Sequence, residues 1–225
     1  MDASHPAPAV SALIPVAPAG LFVAVEGIDH SGKTTLTGSL ADHLRANGYR
    51  VAVIKEPSAE PLGALMRQLS ATALAPPTAL ALLSAADRHH RQPALLSDLA
   101  TAAVVVADRY YLSGLAYHCA DGVDPDLYRR CAHGIRLPDL YLYLDVPVSV
   151  AAARVTRPPD GRWEQPAFAA RLPAAYRRCL DELIRAENGP AVVRLDASQP
   201  ALAVLDAALA VVLERLTSTR TRTPV

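Results

Sequence analysis

No run in the sequence approaches the ~20 consecutive apolar residues that a membrane-spanning helix needs, so a bilayer span is not expected. Nor is there a surplus of charge. The 22 basic and 22 acidic residues cancel, which argues against the broad electrostatic footprint of a nucleic-acid-binding protein. The first twenty residues have no basic opening segment of the kind a secretory signal carries; they are rich in alanine and proline and read as a disordered tail over 1–20. Cysteine is scarce: Cys119, Cys131 and Cys179 are odd in number and widely spaced, matching neither a zinc pattern nor a disulfide framework. Ordinary reduced thiols are expected. No internal repeat is visible either.

What remains is a chain of 225 residues, 51% hydrophobic and 20% charged, enough to bury a large core in one domain over 21–217, with a flexible C-terminal tail at 218–225. The most informative stretch is GIDHSGKTT at 27–35, which follows the apolar run LFVAVE. It fits Gly-x-x-x-x-Gly-Lys-Thr at every fixed position: Gly27, Ile28, Asp29, His30, Ser31, Gly32, Lys33, Thr34, with Thr35 beyond. Such glycines let the backbone curl until successive N–H groups point into one cavity, where phosphate sits. Lys33 supplies a mobile charge for the β- and γ-phosphates, the following helix its positive end, and Thr34 a hydroxyl for Mg²⁺. A chance match is countered by context, since a strand-like run precedes the loop and a helix-like segment, 33–47, follows.

Along the chain, strands are expected at 21–25, 50–55, 102–107, 140–146 and 191–195. Helices are expected at 33–47, 62–74, 78–99, 112–120, 125–133, 148–155, 167–187 and 200–216. This alternation predicts an α/β fold: a five-stranded parallel sheet with helices on both faces and ligands at the strand C-terminal ends. Asp108, closing the third strand, is the second candidate for holding Mg²⁺. The proline-interrupted segment TRPPDGRWEQ, with Arg157 and Arg162, reads as a loop, and the paired His89 and His90 read as helix-surface residues.

Several segments, in order, resemble the thymidylate kinase family of P-loop nucleoside monophosphate kinases. These are FVAVEGIDHSGKTTL, KEPSAEPLGALMRQL, LLSAADR, ADRYYLSGLAYH, LPDLYLYLDVP and TRPPDGRWEQ, spanning about 22–195. The resemblance implies transfer of the ATP γ-phosphoryl to a nucleoside monophosphate, with Mg²⁺, in a homodimer that has nucleotides as its small-molecule partners; a cytoplasmic location is expected from the lack of an export signal and the need for ATP. The same resemblance implies that Arg88 and Arg109 clamp the acceptor phosphate with help from Arg67. It also places Asp29 near the acceptor sugar and Glu56, Ser84, Ser113, Tyr117 and His118 in the acceptor site. Arg154, Arg157 and Arg162 would be cations of a lid at about 156–164 that stabilise the transferring group. His30 stands where relatives place either an arginine or a small residue, which leaves two readings open, a cation beside the phosphates or a neutral packing group.

The chain departs from the family pattern at four points. Ser84 stands where relatives stack an aromatic ring on the thymine, His118 replaces Gln or Thr near the base, Lys55 replaces an arginine before Glu-Pro, and Ser58-Ala59 replaces a glycine pair. A base stack contributes ~1 to 3 kcal/mol; Tyr110, Tyr111 or Tyr117 are the candidates for a substitute face. Three readings follow: a thymidylate kinase, a related enzyme for another or modified nucleoside monophosphate, and a nucleotide-binding protein without phosphoryl transfer. A pure binder needs no acceptor clamp, so Lys33, Asp108, Arg109 and Arg88 argue against the third.

Overall fold

The computed structural model describes residues 20–72, 75–156, 158, 161–185 and 189–220. Residues 1–19 of the tail expected at 1–20, Arg157 and the last five residues lie outside the described residues. In chain order the elements begin with β1 (Leu21–Gly27), α1 (Lys33–Ala46), β2 (Val51–Lys55), α2 (Pro61–Ala71), α3 (Pro77–His90), α4 (Gln92–Thr101) and β3 (Val104–Asp108). They continue with α5 (Tyr111–Ala120), α6 (Pro125–Cys131), β4 (Leu140–Asp145), α7 (Val148–Ala153), α8 (Pro166–Ala169), α9 (Leu172–Arg185), β5 (Ala191–Asp196) and α10 (Ala201–Arg220).

The five strands form one parallel sheet in the order β2-β3-β1-β4-β5, with helices around it. Composition explains the order. β1 and β3 are continuously apolar until their last polar residues and are buried at every position, as interior strands covered on two faces must be. The outer strands β2 and β5 are only partly buried. Leu36, Leu40 and Leu44 recur at helical spacing and form the buried stripe of α1. α1 packs with α10, and α5 packs with α9.

Register decides what meets at the strand ends. Asp108 lies beside Val25 of β1 on one side and beside Lys55 of β2 on the other. The phosphate-loop motif begins two residues beyond Val25, so loop, Lys55 and Asp108 emerge at the same edge of the sheet.

Three expectations about helices need correction. The segment 78–99 is two helices, α3 and α4, meeting at Arg91, because Pro93 in the first turn of α4 has no N–H to continue the preceding helix. Pro173 divides the segment expected at 167–187 in the same way, leaving α8 and α9. At the C-terminus α10 runs on through Arg220, past the end expected at Leu216 and into the stretch read as a tail.

Candidate active site

The loop after β1 depends on glycine at two points. Gly27 has φ +148°, and a Cβ there would fall 2.8 Å from Ser31 Oγ and 2.9 Å from the Leu144 carbonyl oxygen. Gly32 has φ +100° and launches α1. Inside the curl Lys33 is buried and donates to the Ile28 carbonyl and to Ser31 Oγ. Burial, reinforced by Arg109, lowers the Lys33 ammonium to about 7, against the pull of Asp29 and Asp108. Among the described residues His30 is one of two non-glycine residues with positive φ, at 60°.

Thr34 Oγ1 donates to Asp108 Oδ2 at 2.6 Å, and Lys55 Nζ lies 2.8 Å from the same carboxylate oxygen and 3.3 Å from Thr34 Oγ1. Burial works against the Asp108 charge, but the bonds from Lys55 and Thr34 outweigh it and hold the carboxyl below its usual range. A hydroxyl and a carboxylate converging on one cation are the hard oxygen donors that Mg²⁺ takes, so Thr34 and Asp108 fit that ion, with the Lys55 ammonium standing in for it. Among the described residues no cluster of three His, Cys, Asp or Glu side chains competes for a metal.

Arg109 follows Asp108 with φ 69°, a conformation that costs a residue with a Cβ of order 1–3 kcal/mol. The strained backbone points its guanidinium back across the loop. It pairs with Asp29, donates to Gly27 O and Ser113 Oγ at 3.2 Å each and to the Tyr117 hydroxyl at 3.3 Å, and lies 5.0 Å over the Tyr117 ring. Burial would raise the Asp29 carboxyl, but Arg109 and then Lys33 hold it low. Beneath this pair is Glu26, fully buried, which accepts from the backbone N–H of Tyr110 at 3.0 Å and of Ser113 at 3.2 Å and from Ser113 Oγ. Its burial pushes its carboxyl up.

Two cavities meet at Arg109. One, of about 440 Å³, contains Lys33, Thr34, Lys55, Asp108 and Arg154; the other, of about 210 Å³, is lined by Glu56, Arg67, Ser84, Arg88, His118 and Trp163, among others. Asp29 and Arg109 line both. A third hollow, of about 410 Å³, extends the loop side past Gly32 and Arg154 to Gln199, Leu202 and Leu205.

In the smaller cavity Arg88 is 1% exposed. Its Nε lies 3.0 and 3.1 Å from the two Glu56 oxygens, its NH1 2.9 Å from the Tyr128 hydroxyl, and its guanidinium 5.2 Å from the Tyr110 ring. Ser84 Oγ hydrogen-bonds the same Tyr128 hydroxyl at 3.1 Å. Gly114 makes this possible, since a Cβ there would overlap the Tyr128 hydroxyl and touch Arg88. Arg67 NH1 donates to the Pro57 carbonyl at 2.8 Å and to the Ser58 carbonyl, tying α2 to the end of β2. His118 is 1% exposed, and its Nδ1 is buried without a hydrogen-bond partner. Burial, with Arg88 and Arg162 adding to it, lowers its imidazole to about 3, so the ring is neutral.

The expected lid arginines go to different places. Arg154 donates to the His30 and Ser31 carbonyls at 3.3 and 3.4 Å and to the Ala197 carbonyl at 2.7 Å, bridging loop and α10 side. The structure does not bring Arg162 to the loop: its guanidinium pairs with Asp121 at 3.2 Å and donates to the Ala75 carbonyl at 2.6 Å, at the rim of the smaller cavity. Of the three tyrosines expected to offer a face, Tyr110 and Tyr117 line that cavity and Tyr111 does not. His89 and His90 sit on the surface, bonded to the Cys131 carbonyl and to Glu60. Glu26, Tyr128 and Trp163 were missed, and none carries a local motif; Glu26 could have been suspected, as a carboxylate closing an otherwise apolar buried strand.

A parallel sheet whose central strand opens into a phosphate loop, with a second cavity sharing two charged residues with it, is the layout of a P-loop enzyme with two adjoining ligand cavities. The sequence profile described as Thymidylate kinase matches residues 25–208. Thymidylate kinase of Xylella fastidiosa (strain M12) is 35% identical over 204 residues, 89% of this chain and 90% of that one. Thymidylate kinase of Xylella fastidiosa (strain 9a5c) is 36% identical over 199 residues, 87% and 92% of the two chains, and that of Xanthomonas euvesicatoria pv. vesicatoria (strain 85-10) 42% identical over 144 residues, 63% of each. The chain belongs to the thymidylate kinase family and is a phosphotransferase of the nucleoside monophosphate kinase type. Among the described residues no helix is long and apolar enough to cross a membrane.

Proposed function

We propose that the protein transfers the γ-phosphoryl of ATP to dTMP, giving ADP and dTDP. The observation that carries this reading is the shared wall: Asp29 and Arg109 border both the loop cavity and the Arg88 cavity, so donor and acceptor phosphates bound in the two would meet there. Two anions do not approach each other without fixed positive charge, and positioning with charge neutralisation supplies most of the rate in phosphoryl transfer.

Lys33 and the loop N–H groups hold the β- and γ-phosphates, and Arg154 binds on the side of the hollow that takes the adenine. Thr34 and Asp108 would hold Mg²⁺, which would supply positive charge to offset that of the donor phosphates. Arg109, oriented by Ser113, Gly27 and the Tyr117 ring, binds the acceptor phosphate, while Asp29 accepts from the acceptor sugar. Arg88, which the resemblance assigned to the acceptor phosphate, is fixed by Glu56 and Tyr128 on the side of Ser84 and His118 and addresses the base instead; Arg67 closes the cavity from α2. Exposed Leu65 on α2 and Leu82 on α3 suit a homodimer contact, and the need for ATP suits the cytoplasm.

A second reading, another or modified nucleoside monophosphate as acceptor, draws on Ser84 and His118, which leave a polar base end. The test is ADP release with ATP and Mg²⁺ against dTMP, dUMP, dCMP and dGMP. Selective turnover of dTMP is expected; turnover of dTMP no faster than of the others would sink the first reading in favour of the second.

A further inference from the structure

The smaller cavity has four aromatic rings in its wall, those of Tyr110, Tyr117, His118 and Trp163, and three of them are already engaged. Tyr110 carries the Arg88 guanidinium 5.2 Å from its centroid and the Phe22 ring edge-on at 5.0 Å. Tyr117 carries the Arg109 guanidinium at 5.0 Å. His118 lies against the Tyr128 ring at 5.1 Å and is almost wholly covered. Trp163 differs from all three. It is half-buried, and its ring contacts among the described residues are near-perpendicular, at 82° to Tyr117 and 77° to His118.

That indole is held in place by a built support. Its Nε1 donates to Asp121 Oδ2 at 3.3 Å, while the neighbouring Arg162 binds Asp121 Oδ1 at 3.2 Å and the Ala75 carbonyl at 2.6 Å. The Arg162 backbone N–H donates to the Ser70 carbonyl at 3.3 Å. The Asp121 side chain is 8% exposed, so a largely buried carboxylate at the end of α5 takes one bond from the indole and one from the guanidinium beside it. Three separate anchors, from the end of α5, from α2 and from the residues before α3, fix Arg162 and Trp163 at the cavity. A surface tryptophan with no function needs no such fixing, and a large amphipathic ring with few rotatable bonds is what a stacking contact uses.

We infer that Trp163 is the stacking partner of the acceptor base and, with the Asp121–Arg162 pair that positions it, a determinant of acceptor affinity. This rests on the phosphoryl-transfer reading above and adds to it a side chain that the sequence patterns did not single out. Ser84, with its hydroxyl committed to Tyr128, brings no ring to the cavity from α3, and Trp163 supplies one from the segment before α8. Asp121 acts through the indole and is a positioning residue.

The chain contains one tryptophan, so its emission reports on this contact directly. In the full-length protein, dTMP is expected to quench that emission saturably, whereas 2-deoxyribose 5-phosphate, which has the sugar and phosphate but no base, leaves it unchanged. Trp163→Ala is expected to raise the acceptor KM by about 5- to 150-fold, the equivalent of ~1–3 kcal/mol of stacking. The KM for ATP stays the same and Trp163→Phe restores most of the loss. Asp121→Asn, which keeps the ring and weakens its support, is expected to raise the acceptor KM less than Trp163→Ala does. Equal quenching by the baseless phosphate, or an acceptor KM indifferent to Trp163→Ala, overturns the inference. No turnover of any nucleoside monophosphate by the unaltered protein is a different result, and it removes the kinase reading itself.

Discussion

The two ends of the site are built by different means. At the phosphate end, Lys33, Thr34, Asp108 and Arg109 are neighbours because one loop follows β1 and the register of a parallel sheet sets Asp108 beside β1 and Lys55. At the base end, Arg88, Tyr128, His118 and Trp163 come from α3, α6, α5 and the segment before α8, and they meet only through packing across the fold. The first arrangement is set by the backbone, and its one exchange relative to the family pattern, Lys55 for arginine, keeps the positive charge beside Asp108. The second is assembled from side chains, so its parts can be exchanged singly, as Ser84 and His118 have been relative to the family pattern.

The sharpest test of this division is Lys33→Ala, which removes the ammonium buried inside the curl of the loop. A loss of at least ~10²-fold in kcat is expected, the scale of deleting one preorganised charge donor, with the fold intact by circular dichroism. The depressed Lys33 ammonium adds a signature. At pH 8 a group lowered to about 7 is mostly neutral in the free protein, and bound phosphates restore its charge. ATP binding is therefore expected to take up a proton, read by calorimetry in buffers of different ionisation heat, and Lys33→Ala to abolish that uptake. A variant that kept full turnover would break the comparison at its stronger end.

Next in size is Arg88→Ala at the base end. It leaves Glu56, whose side chain is only 14% exposed, without its partner and is expected to cost up to about 3–5 kcal/mol of unfolding free energy. The double variant Glu56→Leu with Arg88→Met is expected to recover much of that stability in urea titrations while acceptor turnover stays low. Recovery of both would mean that Arg88 is a structural ion pair and not part of the acceptor site.

The same division explains what could be read from the residues alone. The loop, Asp108 and the five strands follow from local motifs and runs of apolar residues, whose consequences are fixed within a few positions, whereas the order of the strands in the sheet was not read from them. Pro93 and Pro173, by contrast, broke two helices whose apolar pattern runs straight through them, because periodicity reports which face is buried and not whether the hydrogen-bond ladder is continuous. Arg162 illustrates the other limit. A guanidinium in a polar loop is free to choose its carboxylate, and Asp121, forty-one residues away in sequence, carries no mark that it will be that partner. Tyr128 was equally silent, since its role depends on Gly114 leaving room on another helix.

A smaller effect separates packing from function at His118. Its imidazole is held down to about 3 by burial in the folded protein and has its ordinary value near 6.5 when unfolded, so the unfolded chain binds the extra proton first. Stability is then lost as pH falls below 6.5, by at most about 1.4 kcal/mol per unit, and none is lost above it. His118→Gln is expected to flatten the stability profile between pH 6.5 and 4.5. An unchanged slope would show that the ring protonates in place.

The smallest change worth making is Tyr128→Phe, which deletes one oxygen and leaves the ring. That oxygen accepts from Arg88 NH1 and pairs with Ser84 Oγ, both buried, so two polar groups lose a partner. About 1–3 kcal/mol of stability is at stake, softened if a water enters the space the hydroxyl leaves. Arg88 keeps Glu56 and therefore its charge, but loses the bond that fixes the plane of its guanidinium; a severalfold rise in acceptor KM is expected, with the KM for ATP unmoved. Were the KM for ATP to rise as well, the two ends would not be independent. The backbone at the phosphate end would then be responding to side-chain packing across the sheet, and the separation between a rigid donor end and an exchangeable acceptor end would fail.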